Sequence, residues 1–474
     1  MTSICTTFSN RAVLETIVSA GVTSARQADH PILVSYTIHT SFADALALFE
    51  AGRALEEQAF LWIDAARDHT IAAVGVAHQI AHTGADRFNR VRQSWSSLFN
   101  QALIEGHNQL PAAGPTLLGG FAFDADSPRT ALWSDFADAS LVLPQLQLTT
   151  YGGDAALTYN LVVTPTTDPE TTVDELFRLY DDVTFFASNR SPSRPHPIVD
   201  TCDVLPADAW QAIVGNTVAA IKRGAFDKAA IARSIRLTSD RVFDVGQALR
   251  YLRDTYPSAY IFAVTRGESC FLGATPERLV GVQAGTVRAT GLAGTARRGT
   301  TAAEDAQIGA ALLQSGKERH EHDVVVRMLR DVLATACDNV TAADVPELLK
   351  LNNVQHLYTP VTGRLRNGRT LLDLVARLHP TPAVGGLPRA AALAFIRENE
   401  RLDRGWYSGP IGWLDARGEG EFVVALRCGL VQGDTATLFA GNGIVDRSEP
   451  EREYAETCLK FQPMLKALGA AQNS

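Results

Sequence analysis

Residues 228–282, KAAIARSIRLTSDRVFDVGQALRYLRDTYPSAYIFAVTRGESCFLGATPERLVGV, decide the fold class. Three runs in this stretch read as strands: 228–237, 260–264 and 278–282. Their β-branched and aromatic residues suit a pleated, half-buried surface. Working outward, further strands are expected at 32–39 (ILVSYTIH), 155–163, 421–427 and 437–440, and in FAFD after a turn at Gly119-Gly120. Helices are expected at 86–105, ending at Gly106, at 206–223, stopped by Gly224, and at 317–336. A last helix opens with a capping box of Ser448 and Glu451, with Pro450 in its first turn. The strands are grouped rather than strictly alternating with helices, which favours α+β over a doubly wound sheet. The stretch SNRSPSRPHP (188–197) is polar, holds three prolines and reads as a linker. It places a soft boundary between an N-terminal region, 1–195, and a C-terminal region, 196–474. No short repeat and no low-complexity tract is evident.

At 474 residues the chain is long enough for a large buried core. Its 46% hydrophobic and 20% charged content is that of a soluble globular protein. A net charge of -9 argues against nucleic acid or an anionic membrane as the main partner. An anionic substrate therefore needs a local positive site or a metal. The six cysteines are scattered without a CxxC pair, which points to reduced thiols and a cytoplasmic location. No signal peptide and no apolar run of membrane-spanning length is expected.

The residues with chemical potential cluster toward the C-terminus. In SGKERHEHDVVV, Glu318 and Glu321 are spaced i, i+3, and so are Glu453 and Glu456 in SEPEREYAETCLKF. On helices each pair points one way, and four carboxylates from two helices suit one hard cation. Val325, Met328 and Val332 continue the first face, while Lys460 shares the face of Glu453 and Glu456. The plain alternative is two solvated helix faces. His320 and His322 are two apart and diverge on a helix, which disfavours zinc.

Lys228 opens a strand after RGAFD; exposed it is a surface charge, buried it is a candidate general base. Glu277 in GATPERL is either a salt-bridge partner of Arg278 or a protonated carboxyl serving as general acid. AGNGIV (440–445) lacks GK[ST] and a third glycine, so it is a weak phosphate loop, but its glycines allow close approach to a carboxylate. Arg427 in VALRCG suits bidentate carboxylate recognition.

Taken together, FDKAAIAR, FLGATPERL, GLAGTARRG, KERHEH, VQHL, LHPTPAVGGLP, GWYSGPIGW, ALRCG, AGNGIV and SEPEREYAET stand in the order found in the chorismate-utilising enzymes. Over about residues 228–460 the chain resembles that family, and within it the isochorismate synthases; before this it matches more weakly, mainly through GGFAFD. The resemblance implies a two-layered antiparallel β core wrapped by helices, to which the N-terminal region also contributes. It implies Mg2+ as cofactor and chorismate as substrate. Glu321 and Glu456 would bind the metal, with Glu318 and Glu453 beside them directly or through water. Lys228 would activate water at ring carbon 2, and Glu277 would protonate the hydroxyl leaving carbon 4. Tyr407 and Arg427 would hold the enolpyruvyl carboxylate, with the Gly441 and Gly443 backbone and Lys460 nearby. Gly294, Thr295 and His356 would line the ring pocket. Lys228 favours water over ammonia. Ala293 stands where adduct-forming aminodeoxychorismate synthases resemble a lysine, and Ala383 where salicylate synthases resemble a threonine. All three favour a reaction that stops at isochorismate, over salicylate formation or amination, while intact Lys228, Glu277 and the four acids speak against a non-catalytic chorismate-binding role. RATGLAGT departs from the family in lacking an acid just before LAGT. The expected product feeds menaquinone, siderophore or salicylate synthesis, and the expected oligomeric state is a monomer.

Overall fold

The computed structural model describes residues 2–99, 101–189, 198–350 and 354–469, with side chains from residue 10 onward. Two large sheets form the molecule, and both are dominated by antiparallel pairs. The strand Lys228–Ser239 pairs along its length with Thr435–Ile444, from Ala229 opposite Ile444 to Thr238 opposite Thr435. Their sheet has thirteen strands and continues through Cys428–Gln432, Ser269–Thr275 and Tyr260–Arg266 to Ala59–Asp64 and the N-terminal strands. The second sheet has ten strands, with Arg278–Gln283, Gly420–Val424, Pro410–Asp415 and Thr116–Phe121 in adjacent places.

Side-chain alternation builds the layers. Along Ala59–Asp64, Phe60 and Trp62 join a core with Leu118, Ile411, Trp413 and Val423 of the second sheet. Leu61 and Ile63 point the other way, into a core shared with helix residues Phe49, Leu249 and Met464. With both faces covered, these strands are buried along their whole length and read as continuous apolar runs. A buried polar cluster also ties the sheets. Glu421 accepts from Tyr260 Oη at 3.2 Å, from Arg67 Nη1 at 3.3 Å and from Arg278 Nε.

Several elements differ from expectation. The helix expected over 86–105 spans only Arg87–Leu98. Gln101 then takes a left-handed φ of 67°, and Leu103–Gly106 becomes a strand parallel to Ile32–His39. Gly119 and Gly120 lie inside Thr116–Phe121 rather than in a turn before a strand. A Cβ at 119 would overlap the Ser140 carbonyl, and one at 120 would press on the Trp406 ring. A helix at Val245–Thr255 was not foreseen; Asp244 caps it, and it buries Val245, Ala248, Leu249 and Leu252. The expected capping box at Ser448 is absent, because Glu449 takes the N-cap place and Pro450 begins the helix. Ser448 Oγ instead accepts from the Val445 N–H at 3.2 Å.

Of the expected linker, Ser188 ends the helix Pro169–Ser188 and Asn189 caps it; residues 190–197 lie outside the described residues. Strands from before and after it pair in both sheets, Ala59–Asp64 with Tyr260–Arg266 and Thr116–Phe121 with Pro410–Asp415.

Candidate active site

A cavity of about 500 Å3 opens where the ends of these strands meet the C-terminal helix Pro450–Ala467. Glu277, Thr295, His356, Ala383, Tyr407, Arg427, Gly441, Gly443, Glu456 and Lys460 all line it. Residues separated by up to 183 positions in the chain are thus brought together by sheet pairing.

Lys228 sits at the first position of its strand, half-buried. Gly443 makes room for it: a Cβ there would overlap Lys228 Cε and fall 2.9 Å from Nζ. Gly441 and Gly443 are therefore strand residues opposite Ala232 and Ala230, not a phosphate loop. Glu277 follows the strand Ser269–Thr275. Its N–H donates to Thr275 Oγ1 at 3.2 Å, and its carbonyl accepts from Val424 N–H at 3.0 Å. Arg278 turns away to Glu421 and Tyr260, which removes the reading of Glu277 as its salt-bridge partner. Burial pushes the Glu277 carboxyl up to about 7, against the opposing pull of Arg427 and Lys228. A carboxyl titrating there is suited to donate a proton near neutral pH.

Arg427 has a left-handed φ of 49°, at the cavity wall beside Tyr407 and Glu277. Tyr407 is stacked on Phe439 with ring centroids 5.3 Å apart, and burial pushes its phenol up to about 12. Lys460 Nζ is held by Glu456 at 2.8 Å, the Gly441 carbonyl at 3.0 Å and Asn442 Oδ1 at 2.5 Å. His356 Nδ1 lies 2.9 Å from Thr295 Oγ1. Burial, helped by Arg427 and Lys460, pulls His356 down to about 4, so the ring is neutral at pH 7.

The four acids occupy the helices expected for them. Glu318 lies against the β-bulge at Gly294 in the strand Thr286–Arg297, where φ is 75° and a Cβ would come 3.3 Å from Glu318 Oε2. Glu318 and Glu321 are 3.6 and 4.0 Å from Lys317 Nζ, and Glu453 Oε2 accepts from Asn442 at 2.7 Å. Among the four, only Glu456 is on the cavity wall. The donor set is all oxygen and suits a hard cation. Among the described residues, however, no three acidic, His or Cys side chains converge as a ready cation site. On the same helix His320 is exposed, whereas His322 is buried on Thr359 at 2.7 Å, so the two do diverge. Sequence reading overlooked Arg297, Arg404 and the apolar wall of Leu292, Leu426 and Leu459. For Arg404 the nearby opposite charge of Glu400 in ENERLDRG was the available signal, although the pair lies just past the end of the helix Arg389–Asn399.

Residues 19–469 match the family model described as chorismate binding enzyme. The chain belongs to the chorismate binding enzyme family. It is 36% identical over 451 residues to the isochorismate synthase MenF of Bacillus subtilis, covering 94% of this chain and 95% of that protein. It is 39% identical over 458 residues to the salicylate biosynthesis isochorismate synthase of Pseudomonas aeruginosa, covering 94% and 92%. The solved structure of MenF, the menaquinone-specific isochorismate synthase from Escherichia coli, has the same fold, with a TM-score of 0.77 at 24% identity, covering 95% of this chain and 99% of that one. The family match thus reaches well before residue 228, into the part of the chain where motif resemblance was weak. Of the six cysteines, the five whose side chains are described are all free. Among the described residues no helix is long and apolar enough to cross a membrane.

Proposed function

We propose that this chain converts chorismate to isochorismate, with Lys228 as general base and Glu277 as general acid. One arrangement carries the reading: Glu277 and Arg427 line one cavity, and Lys228, packed against the lining residue Gly443, is close enough for both cations to act on the charge of the Glu277 carboxyl. The -9 chain concentrates Lys228, Arg427, Lys460 and Arg297 around this cavity, which suits a dianionic substrate.

Lys228 takes a proton from water as its oxygen attacks ring carbon 2. The ring double bonds shift, and the carbon 4 hydroxyl leaves with the proton of Glu277. Hydroxide leaves poorly unless protonated, and water attacks poorly unless deprotonated, so both groups lower the barrier. Arg427 and Tyr407 hold the enolpyruvyl carboxylate, with Lys460 and the Gly441 and Gly443 backbone beside it. Thr295 and neutral His356 contact the ring, and the small side chain of Ala383 shapes the wall next to it. Glu318, Glu321, Glu453 and Glu456 would hold magnesium, which supplies positive charge for the ring carboxylate. Menaquinone or siderophore supply, including salicylate, is the metabolic setting, and we place a monomeric enzyme in the cytoplasm.

The test is chromatography of products from chorismate and magnesium, with and without a chelator. A chelator-sensitive chorismate–isochorismate mixture without pyruvate is expected. Salicylate with pyruvate would move the assignment to salicylate synthase, and unchanged chorismate would overturn it.

A further inference from the structure

Arg404 lines the cavity, yet its guanidinium is already committed. Nε and Nη2 donate to the two Glu400 carboxylate oxygens at 2.6 and 2.5 Å. Nη1 donates to the Val384 carbonyl at 2.9 Å, and Nη2 also donates to the Ala230 carbonyl at 2.7 Å. These bonds occupy four of about five guanidinium N–H donors. Both side chains of the ion pair are almost wholly buried, 4% and 2% exposed. Glu400 Oε2 also accepts from the Ala232 N–H at 2.8 Å. The guanidinium carbon stands 4.2 Å from the Phe123 ring centroid and 6.0 Å from that of Tyr407.

The groups held in this way belong to two pieces of the site. Ala230 and Ala232 follow Lys228 on its strand, and Val384 follows Ala383 in the loop that hydrogen-bonds back through Gly385 O to Ala230 N. A bidentate ion pair with four of its guanidinium donors already engaged is poorly placed to bind a substrate carboxylate. It is well placed to fix the strand of the base against the wall beside the ring.

We propose that Arg404, locked to Glu400, is a positioning residue that sets Lys228 and the Ala383 loop in register for attack on ring carbon 2. The proposal rests on the isochorismate synthase reading. Lysine cannot reproduce the fork that spans a carboxylate and two carbonyls, so R404K should lose about 100-fold in kcat, with KM changed less than about threefold. Breaking a buried pair from one side can unfold a protein, whereas replacing both partners by apolar residues of similar volume is often tolerated. E400M/R404M is therefore the second variant. It should melt close to the wild-type temperature and still show the kcat loss, because the carbonyls of Ala230 and Val384 remain unclamped.

Wild-type turnover in the same assay separates the two levels: no conversion by the wild type defeats the functional reading itself. With an active wild type, a stable double variant of full activity would make the pair merely structural and overturn the proposal. Raised KM with unchanged kcat in R404K would make Arg404 a substrate ligand and overturn it equally. Failure of both variants to fold would assign the pair to stability alone.

Discussion

The proposed base and acid, Lys228 and Glu277, are set by their neighbours more than by their own chemistry. Lys228 owes its space to the missing side chain at 443. We expect Gly443→Ala to fold but to lose on the order of 100-fold in kcat, because a small displacement of a catalytic group is that costly. Unchanged steady-state kinetics would dissociate Lys228 from the reaction. Glu277 gives a prediction with a defined sign. Its folded value of about 7 lies above the ordinary 4.5, so the fold prefers the neutral form. The stability linked to it is complete below 4.5 and is lost as pH rises through about 7. The full difference is worth roughly 3 kcal/mol; solvent reaching the half-buried carboxyl through the cavity reduces it to about 2. Glu277→Gln stays neutral, so it should be about 2 kcal/mol more stable than wild type at pH 8 and equal to it at pH 4, while kcat drops by roughly 1,000-fold. Wild-type kcat should itself decline above about pH 7 as the acid is lost. Urea titrations at the two pH values and a kcat–pH profile check both. The residues of this pair could be singled out in the sequence, but their roles could not: a lone lysine and a Glu-Arg dipeptide leave burial undetermined. Arg404 was hidden for a related reason: beyond the nearby Glu400 carboxylate, its partners are two main-chain carbonyls that only the fold brings to it.

At the scale of elements, a capping box that forms can be set beside one that does not. The helix Leu371–Leu378 is closed by a true capping box, with Thr370 and Asp373 exchanging backbone hydrogen bonds. Five of its residues are buried, so fraying would expose much of it. At Pro450–Ala467 the same kind of pattern misled, because the proline fixes the first helical residue and puts Ser448 one place too early to cap. Thr370→Ala should therefore cost about 1–2 kcal/mol, and Ser448→Ala under about 1 kcal/mol. Urea midpoints at unchanged m-value decide this, and an equal or reversed order would refute the assignment of caps. The helix over 87–98 was legible from its apolar spacing, with Phe88, Val91 and Trp95 buried. Its end was not, because Gln101 adopts a left-handed backbone that a polar residue other than Asn or Asp does not advertise.

For the whole molecule, the α+β class was legible because the strand runs are grouped. The order of strands was not. Neighbours such as Ala59–Asp64 and Tyr260–Arg266 are far apart in sequence, and burial of both sheet faces erases the alternation that would mark an inner side. The proline-rich stretch at 188–197 is a fair local signal of a linker, but a linker between elements need not separate bodies that fold alone. Here the consequence is physical. Removing everything before residue 198 would expose Tyr260–Arg266 as one sheet edge and Pro410–Asp415 as another, and both strands are buried throughout. Long apolar edges with free backbone groups template aggregation. The lost partners include Phe60, Trp62 and Leu118, which pack in the core between the sheets; each large apolar side chain contributes roughly 1.5–3 kcal/mol when buried. A fragment of residues 198–474 should thus be insoluble or lack a cooperative melt, while the intact chain unfolds in one transition. Circular dichroism and size-exclusion chromatography of the fragment are the measurements. A monomeric fragment with a sharp transition would show that the C-terminal region folds without the N-terminal strands, and that the sheets are assembled from two separable bodies.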